Sequence, residues 1–234
     1  MIVSHEHRFI FVKTRKTAGT SIEVYLAKHL GPDAIVTPVY QPEIPGHLAR
    51  NYEAPAARSR ALTARFRKHE RRAIERKRWF FNHIPAEAIR ARLGRRIWDS
   101  YFKFTFERNP WEKTVSDYYF RSANGKERGS FRDYVLQAAL PSDWSLYTIG
   151  GQLAVDFVGS YADLDADLKR ALAHTSWTAP VELGFEKASS RPKDGASAAA
   201  VFDEETSARV ATVFAHEIAQ FGYKPPLLDP TNSS

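Results

Sequence analysis

The sequence predicts an α/β fold of three layers, in which a central parallel sheet is flanked by helices. Twice along the chain, a short run of β-branched and aromatic residues precedes a polar loop and then an apolar stripe at helical spacing. A third strand and helix follow between residues 154 and 172. Strands and helices that alternate in this way are typical of a parallel sheet covered by helices on both faces.

The first strand, loop and helix lie near the N-terminus. Residues 8–13 have the length and composition of a buried strand, and residues 14–21 are mostly polar. Apolar residues then recur at every fourth position from Ile22 to Leu30, which predicts a helix. Gly31 is the residue type that commonly ends such a helix.

The second such unit begins with a strand over residues 101–107, where apolar residues partly alternate with polar ones. Asn109 is a residue type that caps helix N-termini, and Pro110 suits the first helical position. The apolar residues from Trp111 to Tyr119 then supply an inward face. The sequence therefore predicts a helix that begins directly after Asn109.

The other elements have weaker patterns. In chain order they are a loop over 32–57, a charged helix over 58–78, a helix from Pro85 to Gly94, a helix over 131–140, a strand over 154–159, a helix over 164–172, a mobile loop over 186–200, a last helix from Asp203 to Gly222 and a flexible tail over 225–234.

Composition excludes several classes of protein. The 234 residues include no cysteine, which rules out disulfides, thiol chemistry and cysteine-bound zinc. The N-terminus lacks the pattern of a secretory signal, and no run of eighteen apolar residues exists. We therefore expect a cytoplasmic protein, and a bacterial one.

Positive charge is concentrated in one segment. Residues 58–78 contain ten arginines or lysines and two glutamates, a net charge of +8, whereas the whole chain carries +7. The high isoelectric point is therefore a local property. It argues against a surface that binds nucleic acid over its whole extent.

The loop at residues 15–21, here called the first phosphate segment, has the residues of an anion site. The start of a helix presents backbone N–H groups and partial positive charge. Lys16 adds a full charge, Gly19 lets a phosphate approach the backbone, and hydroxyls surround both. The alternative is a plain corner between strand and helix. The sequence lacks Gly-x4-Gly-Lys-Ser/Thr, which disfavours an ordinary P-loop ATPase or GTPase.

Residues 108–118, here called the second phosphate segment, follow the strand over 101–107. The planar guanidinium of Arg108 is suited to bind a phosphate through two hydrogen bonds. Ser116 lies about two turns into the helix, a rise of roughly 10 Å, so both can reach one phosphate if the arginine lies along the helix. The alternative is a structural arginine and a solvated serine.

Together the two segments resemble those of the sulfotransferases that use 3′-phosphoadenosine 5′-phosphosulfate (PAPS), especially the carbohydrate-sulfotransferase branch. In that family one strand leads into Pro-Lys-Thr-Gly/Ala-Gly/Ser-Thr-Ser, and a later strand leads into Arg-Asn-Pro-aromatic-x-Arg/Lys-x-x-Ser-x-Tyr. The chain matches the first from Arg15 to Ser21, with arginine in place of proline, and the second from Arg108 to Tyr118. Two later stretches are also similar, residues 156–164 and 221–223.

The resemblance implies a P-loop-like fold in a single domain over 1–234. It also implies transfer of a sulfuryl group from PAPS to a hydroxyl or amine, without a metal and with adenosine 3′,5′-bisphosphate as product. Lys16 would stabilise negative charge on the bridging oxygen. The residues implied in donor binding are Arg15, Lys16, Thr17, Ala18, Gly19, Thr20 and Ser21 on the 5′ side, and Arg108 and Ser116 at the 3′-phosphate.

A base must also take the proton of the acceptor. His83 precedes the helix at Pro85, a setting in which members of the family often have a catalytic histidine; the alternative is a histidine that caps this helix. His47 is a second candidate. Glu43 and Glu53 are more remote ones, because some relatives use a glutamate.

Two other functions fit parts of the pattern. A P-loop nucleotide or sugar kinase would share the fold, and a non-enzymatic nucleic-acid-binding protein would use residues 58–78. If the protein is a sulfotransferase, we expect residues 58–82 to form a basic helical insertion beside His83. This insertion would favour an anionic acceptor, such as a glycan or a small molecule. We expect neither a specific nucleic acid nor a membrane as partner. The alternative is a solvated helix face.

Overall fold

The computed structural model describes residues 1–39, 47–53, 79–183 and 198–228. The chain divides into two compact units. Unit 1 comprises Met1–Thr14, Ala18–Phe106 and Ser145–Glu186, and unit 2 comprises Arg15–Thr17, Glu107–Trp144 and Lys187–Ser234. The single domain inferred from the sequence stays a prediction.

Some predicted elements lie partly or wholly outside the described residues. They are parts of the loop over 32–57, the basic helix over 58–78, most of the loop over 186–200 and the end of the tail, 229–234. Their portions outside the described ranges stay predictions. Where the two loops are described, each contains one regular element that the sequence did not predict, a strand at Ile35–Val36 and a helix at Ala198–Val201.

The strands of unit 1 form a five-stranded mixed sheet in the order β3-β1-β2-β4-β7 and a separate two-stranded ribbon, β5-β6. In chain order they are β1 (Ile2–Ser4), β2 (Phe9–Phe11), β3 (Ile35–Val36), β4 (Phe102–Glu107), β5 (Thr148–Ile149), β6 (Gln152–Leu153) and β7 (Phe157–Ser160).

The prediction of a wholly parallel sheet is wrong. Strand β1 runs antiparallel to β2, with Ile2 opposite Phe11, and antiparallel to β3. The connection between β1 and β2 is a short turn, whereas two parallel strands need a long crossover. Strands β2 and β4 are parallel as predicted, with Phe9 opposite Phe102. The α/β class is confirmed, and a P-loop-like arrangement stays a prediction.

The helices in the described ranges are α1 (Gly19–His29), α2 (Ala86–Leu93), α3 (Arg95–Ser100), α4 (Pro110–Ala123), α5 (Phe131–Gln137), α6 (Trp144–Tyr147), α7 (Leu164–Leu172), α8 (Ala198–Val201), α9 (Glu204–Val213) and α10 (Ala215–Phe221). None of these helices is both long enough and apolar enough to cross a membrane.

Local sequence signals place several helix ends correctly. The Asn109 side chain accepts hydrogen bonds from the N–H groups of Trp111 and Glu112, so it caps α4 as predicted. Gly94, with φ of 83°, follows α2. The predicted last helix is instead two helices, α9 and α10, separated at Phe214. Phe214 is fully buried, so its packing fixes a backbone that helical periodicity alone does not reveal.

The core of unit 1 lies between the sheet and helices α1 and α7. Alternate residues of a strand point to the same face, and in β2 and β4 those residues are phenylalanines. Their rings pack closely; the Phe11 and Phe104 centroids are 5.3 Å apart. The buried side chains of this cluster include Phe9, Phe11, Phe104, Phe106, Ile22, Leu26, Leu168 and Leu172.

Unit 2 has its own core. Helices α4, α5 and α9 surround Trp111, whose indole N–H donates to the Ser207 hydroxyl at 2.9 Å. The other fully buried members of this cluster include Tyr134, Val135, Phe202, Val210 and Phe214. Helix α4, which carries the second phosphate segment, is therefore anchored by its inward face.

We expect Gly159→Ala to destabilise the fold, because a Cβ at this position of β7 would lie 2.7 Å from Cδ1 of the buried Phe106. Overpacking of this kind costs about 1–3 kcal/mol in the free energy of unfolding. Urea denaturation measures the loss. Gly31→Ala is a matched control, because its Cβ would meet only the Glu6 carboxylate at 3.5 Å. Equal stability of the two variants would contradict this account.

Candidate active site

The first phosphate segment turns sharply between β2 and α1. Lys16 and Ala18 both have left-handed backbone conformations, with φ of 61° and 56°. Ala18 is the residue before α1, and its carbonyl accepts the first helical hydrogen bond, from Ile22 N–H at 3.1 Å. The first N–H groups of a helix have no acceptor within the helix, so the segment has the backbone arrangement of an anion site.

Gly19 has a second role that the sequence did not reveal. A Cβ on Gly19 would lie 2.7 Å from Cγ of Lys13, so only glycine leaves room for the lysine side chain. The Lys13 side chain is buried, and its ammonium group pairs with the buried carboxylate of Glu23. The glycine at the start of α1 therefore serves the packing of unit 1 as well as any ligand.

Glu23 is the centre of a buried polar group in unit 1. Its carboxylate also contacts the Met1 amino group and the hydroxyl of Thr37. Burial alone would raise the pKa of Glu23, but Lys13 and the Met1 amino group lower it to about 2. Glu23 is consequently ionised at all ordinary pH values and holds Lys13 beneath the start of α1.

The second phosphate segment lies in unit 2. The Arg108 guanidinium is largely buried and lies along α4, where one of its nitrogens is 3.3 Å from a carboxylate oxygen of Glu112. Ser116 is one turn further on, because residues four apart lie on the same helix face. The arginine side chain therefore extends along the helix face that also carries Ser116.

Lys16 approaches the same face of α4. Its ammonium nitrogen lies 4.0 Å from the ring centroid of Phe120, within the range of a cation–π interaction. Phe120 follows Ser116 by one helical turn, a rise of about 6 Å. Unit 2 thus brings Lys16 of the first segment and Arg108 and Ser116 of the second to one helix.

A buried cluster of charges lies between the two segments in unit 2. The Lys113 ammonium is 2.6 Å from a Glu107 carboxylate oxygen and 2.9 Å from an Asp143 oxygen. Asp143 also accepts from the backbone N–H and the Nε–H of Arg15, both at 2.6 Å. Two cations and two carboxylates make the cluster neutral.

The electrostatics of this cluster favour a charged lysine. Burial alone would lower the pKa of Lys113, but Asp143 and Glu107 raise it above its ordinary value. Burial raises the pKa of Glu107, although Lys113 acts in the opposite direction. Sequence reasoning missed all three residues. Lys113 occupies a named position of the Arg108–Tyr118 pattern, which was a usable signal, whereas nothing in the sequence pointed to Asp143.

His83 contacts the strand end that leads to the first segment. Its Nδ1 lies 3.1 Å from the Lys13 carbonyl oxygen. A carbonyl oxygen can only accept, so Nδ1 carries the proton and the neutral ring has its lone pair on Nε2. His83 also has a left-handed backbone, with φ of 57°. A non-glycine residue held in this conformation is a mark of functional sites.

His47 lies close to the same buried polar group of unit 1. Burial lowers its pKa, and the charges of Glu23 and Lys13 act on that pKa in opposite directions. Its Nε2 is buried and has no hydrogen-bond partner in the described ranges. His47 therefore stays neutral and remains a second candidate base.

The carboxylate candidates receive less support. Glu53 is exposed, and Glu43 lies outside the described residues. Three other histidines pack against aromatic rings: His29 on Tyr25, His174 on Phe102 and His216 on Trp144. Across residues 1–39, 47–53, 79–183 and 198–228, no group of three or more histidines and carboxylates is arranged to hold a metal ion.

Comparison with known proteins gives a family. A family model described as "Sulfotransferase family" matches residues 1–224. A protein of Archaeoglobus fulgidus, described as "Uncharacterized protein", is 33% identical over 100 residues, which cover 38% of this chain and 79% of that protein. No solved structure matches.

We expect Glu23→Gln to remove a pH-dependent part of the stability. Because the folded-state pKa of Glu23 is about 2 and its ordinary value is 4.5, the ionised group stabilises the fold above pH 4.5, and this contribution is lost as the pH falls towards 2. The difference in unfolding free energy between wild type and variant should shrink by about 3 kcal/mol over that range.

Urea denaturation at stepped pH measures this difference. The control is Lys13→Met/Glu23→Gln, which should recover part of the loss at neutral pH because no buried ammonium is then left without its carboxylate. A difference that does not vary between pH 4.5 and 2 would contradict the assignment.

Proposed function

The chain belongs to the sulfotransferase family, and we propose that it transfers a sulfuryl group from PAPS to a hydroxyl or amine acceptor. One observation carries the proposal of this donor. In unit 2 Lys16 of one phosphate segment lies against α4, the helix that begins two residues after Arg108 and that carries Ser116. A nucleotide with phosphates at both the 5′ and 3′ positions requires two such groups of cations and hydroxyls.

The residues implied in donor binding have the chemistry that the donor needs. Lys16 and the start of α1 suit the 5′-phosphosulfate, through a full charge and backbone N–H groups. The buried hydroxyl residues of the first segment, Thr17, Thr20 and Ser21, would supply further hydrogen bonds. Arg108 and Ser116 suit the 3′-phosphate. Arg15 stays a proposed donor-binding residue, and its side chain also donates to Asp143 and to the Ser142 carbonyl oxygen.

The residues then divide the chemistry between them. When bound, PAPS supplies the sulfuryl group, whose S–O bond to the 5′-phosphate breaks as the bond to the acceptor oxygen or nitrogen forms. Lys16 stabilises the charge that the departing phosphate gains. His83 accepts the acceptor's proton at Nε2, since Nδ1 already donates to Lys13. Adenosine 3′,5′-bisphosphate is the product.

The acceptor is the least defined part of the proposal. The basic segment over 58–78 favours an anionic acceptor, such as an acidic glycan or a small molecule with a carboxylate or phosphate. A cytoplasmic, bacterial enzyme is what the sequence predicts. The family match favours sulfuryl transfer over the kinase and over the nucleic-acid-binding protein considered above.

We expect adenosine 3′,5′-bisphosphate to stabilise the protein far more than AMP or ATP does. Binding to the native state stabilises it by about 2.7 kcal/mol at a hundredfold excess over Kd. Thermal denaturation with each nucleotide measures the shift. Arg108→Ala should remove most of the difference between the bisphosphate and AMP. Arg132→Ala is the control, because this arginine lies in the same unit and pairs only with Asp203 and Glu205 in the described ranges. Equal shifts for all three nucleotides with the wild type would contradict the donor assignment.

Substitutions at Lys16 and His83 should affect different steps. Lys16→Ala should weaken binding of adenosine 3′,5′-bisphosphate, because the ammonium group would be lost from the donor site. His83→Ala should leave that affinity intact but lower turnover by about 10²–10⁴-fold, the usual contribution of a general base. Calorimetry gives the affinity, and product release with an acceptor found by screening gives turnover. His47→Ala is the matched control. If His47→Ala abolishes turnover while His83→Ala retains it, His47 is the base.

A further inference from the structure

We propose that Lys113 is a positioning residue that fixes the spacing, within unit 2, between residues Arg15–Thr17 of the first phosphate segment and the second phosphate segment. The inference rests on the donor proposed above, since it concerns how one ligand with two phosphates is recognised. Lys113 is fully buried, so it acts through its neighbours rather than by touching the ligand.

On one side Lys113 secures the first phosphate segment. Asp143 shares one carboxylate oxygen between the Lys113 ammonium, at 2.9 Å, and the backbone N–H of Arg15, at 2.6 Å. Its other oxygen accepts from the Arg15 Nε–H, and the Arg15 guanidinium also donates to the Ser142 carbonyl oxygen at 2.7 Å. The residue directly before Lys16 is therefore held by both its backbone and its side chain.

On the other side Lys113 secures the second segment. A single Glu107 carboxylate oxygen accepts from the Lys113 ammonium at 2.6 Å and from the backbone N–H of Arg108 at 2.8 Å. One ammonium group thus connects, through one carboxylate on each side, the backbone N–H of Arg15 to that of Arg108.

Asp143 is itself fixed from a separate helix. The buried Glu217 of α10 accepts at one oxygen from the Ser142 hydroxyl at 2.7 Å and from the N–H groups of Asp143 and Trp144 at 3.2 Å each. The carboxylate that connects Lys113 to Arg15 therefore has a fixed backbone. Any movement of the first segment away from the second would leave a buried charge without its partner, which strongly disfavours it.

Fixed spacing benefits a ligand that spans both segments. Once one phosphate has bound, the second binds as an intramolecular event whose gain depends on the correct separation of the two sites. A ligand with one phosphate gains nothing from that separation. Lys113 should consequently contribute to the preference for the bisphosphate over AMP, and much less to the affinity for AMP.

The test measures Kd for AMP and Kd for adenosine 3′,5′-bisphosphate by calorimetry on the full chain. The ratio of the first Kd to the second is then compared between the wild type and each variant. Lys113→Met should lower this ratio by about tenfold or more, in keeping with the gains usual for linked binding events. Lys113→Arg should restore much of it by keeping the charge. Asp143→Asn is a second variant that weakens the same connection without removing the lysine, and it should also lower the ratio.

Lys103→Met is the matched control. Lys103 is a buried lysine of β4 that pairs with Asp156 in unit 1, so its loss disturbs a comparable ion pair but not the connection. The control should keep the wild-type ratio. If Lys113 had a purely structural role, Lys113→Met would weaken the affinity for both nucleotides equally and leave their ratio unchanged. If the wild type discriminates and both Lys113→Met and Asp143→Asn keep its ratio, this inference is overturned alone. A wild-type ratio near one would overturn the donor assignment and this inference with it.

Discussion

The ammonium group of Lys113, buried between Glu107 and Asp143, is the interaction on which the candidate site of unit 2 depends. Removing one partner of such a group typically costs about 3–5 kcal/mol, yet replacing the whole group by apolar side chains is often neutral. A neutral cluster of two cations and two carboxylates is therefore a poor way to gain stability alone. It is an effective way to define geometry, because charge-assisted hydrogen bonds restrict both distance and direction.

In unit 1 the two strands that precede the phosphate segments in the chain lie side by side. Strands β2 and β4 are parallel neighbours, so their carboxyl ends reach the same edge. Buried threonines continue the contact between these strands beyond the end of β2. The Thr105 hydroxyl donates to the Val12 carbonyl oxygen at 2.7 Å, and the Thr14 hydroxyl donates to the Phe106 carbonyl oxygen at 2.5 Å. The first phosphate segment begins directly after Thr14, and the second begins directly after β4 ends at Glu107.

Elements that the sequence failed to predict were either very short or defined by partners far along the chain. Strands β1 and β3 have three and two residues, too few for a periodic pattern, and their antiparallel pairing makes the sheet mixed. Gly19 was interpreted as a point of approach for a phosphate, yet the structure also shows the Lys13 side chain against it. The role of Gly19 could not be predicted because the path of Lys13 depends on its pairing with Glu23.

The sequence by itself determined the α/β class and the position of α4, and it supplied the candidate residues of both phosphate segments. These depend on local signals: apolar periodicity, the Asn109 cap before Pro110, and a lysine and an arginine each placed between a strand and a helix. Only the tertiary structure decided that Lys113 joins Glu107 to Asp143 and that His83 donates to the Lys13 carbonyl. Periodicity shows which face of a helix is buried, but not which distant charge meets it. The strength of an ion pair or hydrogen bond depends on distances of a few ångströms in space, and only the folded chain sets these.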